Sequence, residues 1–266
     1  MDPLSKHQPC VVITGAASGI GAAAARRFLA DGFAVAATDL DLEGLEALAS
    51  RLASAADDGA RLLTARLDVT DPEAWRATLA AVVERFGGIN VLLQSAGIAV
   101  GAPAVDLEPA RWRQVMAVNL DGAFFGAQAV APHLRRRGGG VIINLTSASG
   151  RRSQPQTAAY ATSKAALSRL TKVLAREWAG GPAPIRVNAI CPGGVKTAIW
   201  TREPFWEAAV ADAGDEAEAW RRLAADTPLG SFAEAEEIAA AAAFLASDAA
   251  AHITGAELVI DGGWSA

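Results

Sequence analysis

Val11-Val12-Ile13-Thr14-Gly15-Ala16-Ala17-Ser18-Gly19-Ile20-Gly21 is the stretch on which the reading of this chain turns. The β-branched run Val11–Ile13 favours a strand, and the Ala-rich residues after Gly21 favour a helix. The glycines between them let the backbone turn tightly and approach a phosphate group, whose charge is favoured by the free amides of a helix N-terminus. Their spacing is G-x-x-x-G-x-G rather than G-x-G-x-x-G, and a glycine turn taken alone serves packing equally well.

Outward from this stretch the same rhythm repeats. Short apolar runs, expected as strands at about 10–14, 33–39, 61–67, 90–94, 140–146, 185–191 and 257–260, alternate with expected helices at about 19–31, 42–55, 72–86, 109–136, 158–179 and 234–247. Such alternation predicts an α/β fold, a doubly wound, Rossmann-type parallel sheet of seven strands with helices on both faces. Strands such as Val141-Ile142-Ile143 lack polar alternation, as strands covered on both faces do. Thr70-Asp71-Pro72 reads as a helix start and Gly87-Gly88 as its stop. No linker or repeat divides residues 1–266, so one domain is expected.

Composition narrows the functions. The 29 acidic and 24 basic residues leave a net charge of −5, so no positive field invites nucleic acid. The apolar run Ile238–Ala246 falls short of the ~20 residues a membrane helix needs, and the N-terminus lacks an adequate signal-peptide core. Cys10 and Cys191 are too few for a disulfide framework or a zinc site, and they are expected at opposite ends of parallel strands, which argues against a disulfide. A cytoplasmic protein without metal is expected.

At the end of the second expected strand, Asp39 lies where a carboxylate accepts hydrogen bonds from the adenosine ribose and repels a 2′-phosphate, which favours NAD over NADP. A helix-capping role is the plainer alternative. Tyr160 and Lys164, at i and i+4 on the start of a helix, share a face. A nearby ammonium is expected to draw the phenol pKa down for acid/base work. Tyr160 is the only tyrosine in the chain.

The loop Thr14–Gly21, the Tyr160-x-x-x-Lys164 pair and the tail Ile253-Thr254-Gly255 … Asp261-Gly262-Gly263 together resemble the short-chain dehydrogenase/reductase family in its form of about 250 residues. The resemblance implies a catalytic set of Asn119, Ser147, Tyr160 and Lys164. Ser147 would bond the substrate oxygen, and Asn119 would hold a water in a proton relay to Lys164. It also implies cofactor contacts from Thr14, Gly15, Ser18, Gly19, Ile20, Gly21, Asp39, Asp68, Val69, Ala96, Gly97, Pro192, Gly193, Val195 and Thr197, with Tyr160 and Lys164 at the nicotinamide ribose. Family members commonly form tetramers through the helices here expected at 109–136 and 158–179. One departure is visible. Gln94-Ser95-Ala96-Gly97 stands where the family usually has Asn-Asn-Ala-Gly, which puts the local hydrogen-bond network in question.

Residues 196–231 contain no expected strand but gather Trp200, Phe205, Trp206 and Trp220. A long insertion of this kind reads as a substrate lid or as a peripheral helical pair. As a lid, its Trp200, Phe205 and Trp206 point to an apolar or aromatic small-molecule alcohol or ketone rather than a polyol. Arg151 and Arg152 could meet a substrate anion, although a surface pair is the default. Three rivals stand beside an NAD-dependent dehydrogenase. An acyl-carrier-protein reductase would normally use NADPH, a scaffold would lack one of the catalytic residues, and a nucleotide-sugar epimerase would need a larger C-terminal domain.

Overall fold

A computed structural model describes residues 8–52, 58–201 and 205–266. Seven strands form one sheet in the order β3-β2-β1-β4-β5-β6-β7, and every neighbouring pair is parallel. They are β1 Cys10–Thr14, β2 Ala34–Asp39, β3 Leu62–Arg66, β4 Val91–Gln94, β5 Gly140–Leu145, β6 Ile185–Pro192 and β7 Glu257–Ile260. The order reverses between β1 and β4, and in open α/β sheets such a switch point opens the crevice where ligands bind.

Alternation along the buried strands feeds two separate cores. Val11 and Ile13 pack with α1 (Gly19–Ala30), α2 (Leu42–Leu52) and α11 (Ala235–Ala246) on one face. Cys10 and Val12 pack with α4 (Pro72–Phe86), α6 (Gly122–Arg136) and α7 (Ala158–Trp178) on the other. Ala22 to Ala25 are all buried in α1, and such small side chains let the helix lie close to the sheet. Asp71 caps α4 by accepting from the Glu73 amide, and Gly87 ends it in the left-handed region. Trp75 is fully buried and donates its indole N–H to the Val69 carbonyl at 3.0 Å.

One expected helix changes. The helix expected over 109–136 is three pieces: α5 (Pro109–Met116), a π turn (Ala117–Asp121) and α6. One extra residue in that turn lets the Gly122 amide reach back to the Ala117 carbonyl. The segment 196–231 carries α8 (Ala198–Thr201), α9 (Phe205–Ala213) and α10 (Glu216–Leu223). A four-residue α3 (Asp58–Arg61) also precedes β3. The expected helix end at 53–55 and residues 202–204 of the insertion lie outside the described residues.

The departure at Gln94 has a structural answer. Its Nε2 donates to Asn144 Oδ1 on β5 and to the Ala123 carbonyl on α6, both at 2.9 Å. Asn144 in turn donates to Thr171 Oγ1 on α7 at 2.8 Å. The longer amide therefore still ties strand to strand, and Gly126 makes room for it, because a Cβ there would sit 2.6 Å from Gln94 Oε1. Gln94→Leu keeps the volume, strips Asn144 Oδ1 of its donor and takes from the Ala123 carbonyl the donor it has besides its helix, so urea unfolding is expected to show a loss of about 1–3 kcal/mol. Unchanged stability would mean that the amide is not a tie.

Candidate active site

The glycine turn leaves β1 at Gly15, whose φ is 67°, and enters α1 at Gly19, whose φ is 52°. A Cβ on Gly15 would lie 2.8 Å from the Ala96 backbone, and one on Gly21 would lie 2.1 Å from the Gly15 carbonyl oxygen. The backbone therefore packs on backbone here. Ser18 makes no side-chain cap on α1, and the first turn carries no acidic residue. The leading amides of this 12-residue helix thus lack an intrahelical carbonyl and suit an anion. A Cβ on Gly19 would come 3.2 Å from Thr197 Cγ2, so the loop after β6 faces the turn across a narrow gap.

The other expected cofactor residues gather along the same carboxyl edge. Thr14 Oγ1 accepts from the Ser95 and Ala96 amides at 3.1 Å, tying the end of β1 to that of β4. Asp39 Oδ2 accepts from the Ala17 amide at 3.0 Å and Oδ1 from the Asp41 amide at 3.1 Å. Its carboxylate is thereby held beside the glycine turn. Ile20 is partly buried against the core of that face. Asp68 accepts from the Thr70 hydroxyl and amide, and those bonds hold its carboxyl below the usual range. Val69 is buried. Pro192 ends β6, the Gly193 amide donates to the Ile260 carbonyl at 2.9 Å, and Val195 bridges to Ala233.

The expected catalytic residues converge where β5, the π turn and α7 meet. Ser147 follows β5, is buried, and accepts from the Ser149 amide at 3.2 Å. Its hydroxyl stands near enough to the Tyr160 phenol to favour the ionised form. Lys164 Nζ lies 5.8 Å from the Tyr160 ring centre and donates to the Leu145 carbonyl at 2.8 Å. Asn119, on the π turn, is almost wholly buried. Its Oδ1 accepts from the Ile98 amide, and its Nδ2 donates to the Ile98 carbonyl and to Ser163 Oγ, all within 3.0 Å. Ser163 donates to the Tyr160 carbonyl at 2.7 Å. The Asn119 amide is thus a strut between the loop after β4 and the second turn of α7. A Cβ on Gly97 would stand 3.2 Å from Lys164 Nζ and 3.3 Å from Asn119 Oδ1, so glycine keeps that approach open.

Electrostatics correct one expectation. Burial raises the Tyr160 phenol above its ordinary value, the Ser147 hydrogen bond offsets part of this, and Cys191 nearby adds to it. Burial also pushes the Lys164 ammonium down to about 8. In the protein alone, then, the phenol is not drawn down, because the cost of burying its charged form outweighs what Ser147 contributes. Cys191 and Cys10 are buried free thiols, pushed up to about 11 and about 12 by burial.

The aromatics of the insertion do not stand open as a lid face. Trp206 packs on Trp220 with ring centres 4.4 Å apart and ring planes tilted by 44°, and Trp200 lies 5.3 Å from Phe232. Trp206 and Trp220 are buried, while Phe205 is exposed. Nor do the two arginines present a free anion site. Arg151 pairs with Glu257 at 3.1 Å, and Arg152 donates to the Trp264 carbonyl at 2.6 Å while stacking on its ring. Sequence reasoning passed over Ser163 and Glu257. The second had a signal, an acid opening the otherwise apolar run Leu258-Val259-Ile260. Among the described residues no group of three or more metal-donor side chains is found, and no helix is long and apolar enough to cross a membrane.

Fold and site define a class: a Rossmann-type α/β protein with a phenol, a hydroxyl and an amine beside the carboxyl edge of its sheet. A family model described as enoyl-(acyl carrier protein) reductase matches residues 15–265. D-threitol dehydrogenase of Mycolicibacterium smegmatis is 43% identical over 254 residues, 96% of this chain and 92% of that protein. Galactitol 2-dehydrogenase (L-tagatose-forming) of Cereibacter sphaeroides is 41% identical over 96% of this chain and 94% of its own. The solved structure of levodione reductase superposes with a TM-score of 0.84 at 33% identity, covering 97% of each chain. The chain belongs to the short-chain dehydrogenase/reductase family, whose dehydrogenases use nicotinamide cofactors.

Proposed function

We propose that the protein is an NAD-dependent dehydrogenase that oxidises a secondary alcohol to a ketone, and reduces the ketone in reverse. The observation that carries this is the Ser147–Tyr160–Lys164 cluster, with Lys164 beside Gly97 and the neighbouring Ala96 packed on Gly15 of the glycine turn. The residues fit the cofactor because α1 offers uncapped amides, Gly15 and Gly19 supply the positive φ of the tight turn, and Gly97 keeps the approach to Lys164 open. Its pyrophosphate would lie on Ser18 to Gly21, its adenosine by Asp39, Asp68 and Val69, and its nicotinamide end by Pro192, Gly193, Val195 and Thr197. When bound, it supplies the hydride acceptor.

In oxidation, Tyr160 takes the hydroxyl proton, Ser147 orients that oxygen, and Lys164, which would hold the nicotinamide ribose, stabilises phenolate. Protons leave past Lys164 and Asn119, along the approach that Gly97 keeps open. Residues 1–266 act as one catalytic unit in the cytoplasm, with 196–231 covering the substrate. Apolar surface on Trp112, Phe124 and Val173 supports a tetramer assembled through α5–α6 and α7.

The substrate reading shifts from an apolar or aromatic alcohol toward a secondary alcohol flanked by further hydroxyls. Trp206 and Trp220 cover each other, which removes most of the argument for an aromatic substrate, and the threitol and galactitol dehydrogenases act on such compounds by name. The internal pairing of Arg151 and Arg152 weighs against an acyl-carrier substrate. The test is turnover with NAD⁺ and NADP⁺ against polyols, simple diols and aromatic secondary alcohols. Asp39 should make kcat/KM at least ~100-fold higher with NAD⁺, and Asp39→Ala should narrow that gap by about tenfold, or 1.4 kcal/mol. A preference for NADP⁺ in the unsubstituted protein would overturn the assignment.

A further inference from the structure

The turn that carries Ser147 is gripped at both ends by one carboxylate from the far side of the sequence. Glu257 opens β7, and its side chain is 9% exposed. Its Oε1 lies 3.2 Å from the Thr146 hydroxyl, the residue immediately before Ser147. Its Oε2 accepts from Arg151 Nη1 at 3.1 Å, and Arg151 is the residue that closes the 3₁₀ turn Ala148–Gly150. Ser147 stands between these two anchors. Its own Oγ accepts from the Ser149 amide inside the bracketed turn, so the direction of its hydroxyl depends on the shape of that turn.

The sheet register explains how Glu257 reaches the turn. Glu257 pairs with Ala189 on β6, and Ala189 pairs with Asn144 on β5. Side chains at registered positions share a face, and Thr146 lies two residues beyond Asn144 on that face. A single carboxylate therefore spans β6 to meet the end of β5. Nothing in the chemistry attributed to Tyr160, Lys164 and Ser147 itself requires an acid here. An apolar residue opening β7 would complete the strand equally well.

We infer that Glu257 is a positioning residue for the Ser147 hydroxyl, acting through Thr146 and Arg151 to hold the turn in the shape that directs Ser147 toward Tyr160 and the substrate oxygen. The inference rests on the assignment of Ser147 as the group that orients the substrate. The bracket also has the energetics of a positioning device more than of a core support. Arg151 is 46% exposed and can turn to water, and the Thr146 hydroxyl has a second partner in the Ile190 carbonyl at 3.0 Å. Loss of the carboxylate thus leaves no buried group stranded, and the fold should tolerate it.

Glu257→Ala is expected to lower kcat for alcohol oxidation by about tenfold, as a small misplacement of a reacting group does. Affinity for NAD⁺ should change by less than about twofold, since only a group that acts in the reacting complex is lost. The deuterium isotope effect on kcat should rise, because the chemical step becomes slower. Arg151→Ala should behave alike, and the double variant should fall no further than the single ones. Glu257→Gln should recover most of the rate, since its oxygen can accept from Arg151 while its amide donates to Thr146. Amide hydrogen exchange at Ser149 and Gly150 should quicken in Glu257→Ala, with or without turnover. An unsubstituted protein that oxidises no alcohol would count against the functional reading, and the exchange measurement would still decide the bracket. Unchanged exchange would overturn it. So would a fall in kcat matched by lost NAD⁺ affinity and melting temperature at a constant isotope effect.

Discussion

Tyr160→Phe is expected to lower turnover by at least ~10³-fold, within the range that positioned acid/base groups contribute, while NADH still binds with nearly native affinity. The phenylalanine keeps the ring that sits over Lys164 Nζ and removes only the hydroxyl, so packing at the start of α7 should persist. What vanishes is the one oxygen placed to exchange a proton with the substrate beside Ser147. The unsubstituted protein should also show a pH dependence of known sign. Phenolate is the form that accepts a proton, and burial raises the phenol pKa, so oxidation should accelerate as pH rises toward the alkaline side. Tyr160→Phe should abolish that limb. NADH fluorescence and steady-state rates across pH check both halves. Loss of NADH binding together with turnover, or near-normal turnover, would remove Tyr160 from the chemistry.

Gly21→Ala should weaken NADH binding by roughly 100-fold, or about 3 kcal/mol. A Cβ on Gly21 would meet the Gly15 carbonyl oxygen at 2.1 Å and the Ala16 Cα at 3.0 Å. Both neighbours are backbone of the turn itself, so no flexible side chain can yield and the turn must move. Overpacking of this kind costs about 1–3 kcal/mol of stability as well, which thermal melting would register. Gly101→Ala is the control, because a Cβ there meets nothing within 4 Å and its backbone is not in the left-handed region. Native NADH affinity in Gly21→Ala would show that the close approach of α1 to the turn is dispensable.

Much of this was readable from local sequence. Each expected strand is present within a residue or two, because an apolar run between glycine, proline and capping residues has few other ways to satisfy its backbone. Asp71 and Gly87 bound α4 as their side-chain and backbone preferences dictate. The i, i+4 spacing of Tyr160 and Lys164 places them on one helix face without reference to anything else.

Other features were not readable, and they share a cause. The π turn at Ala117–Asp121 has no compositional mark, since its extra residue answers to what Asn119 finds at Ile98 and Ser163. Trp206 and Trp220 read as lid aromatics until α9 and α10 fold them against each other. The direction of the Tyr160 shift depends on how much water the surrounding elements exclude.

By itself, then, the sequence determined the order of strands and helices, the glycine turn at the first crossover and the positions of Tyr160 and Lys164. Those follow from backbone periodicity and the conformational range of single residues. The tertiary structure alone decided that Gln94 reaches Asn144, 50 positions away, and that Glu257 grips Thr146 and Arg151 across 111 and 106 positions. Contacts of that range are set by strand register and helix packing, which only the assembled sheet defines.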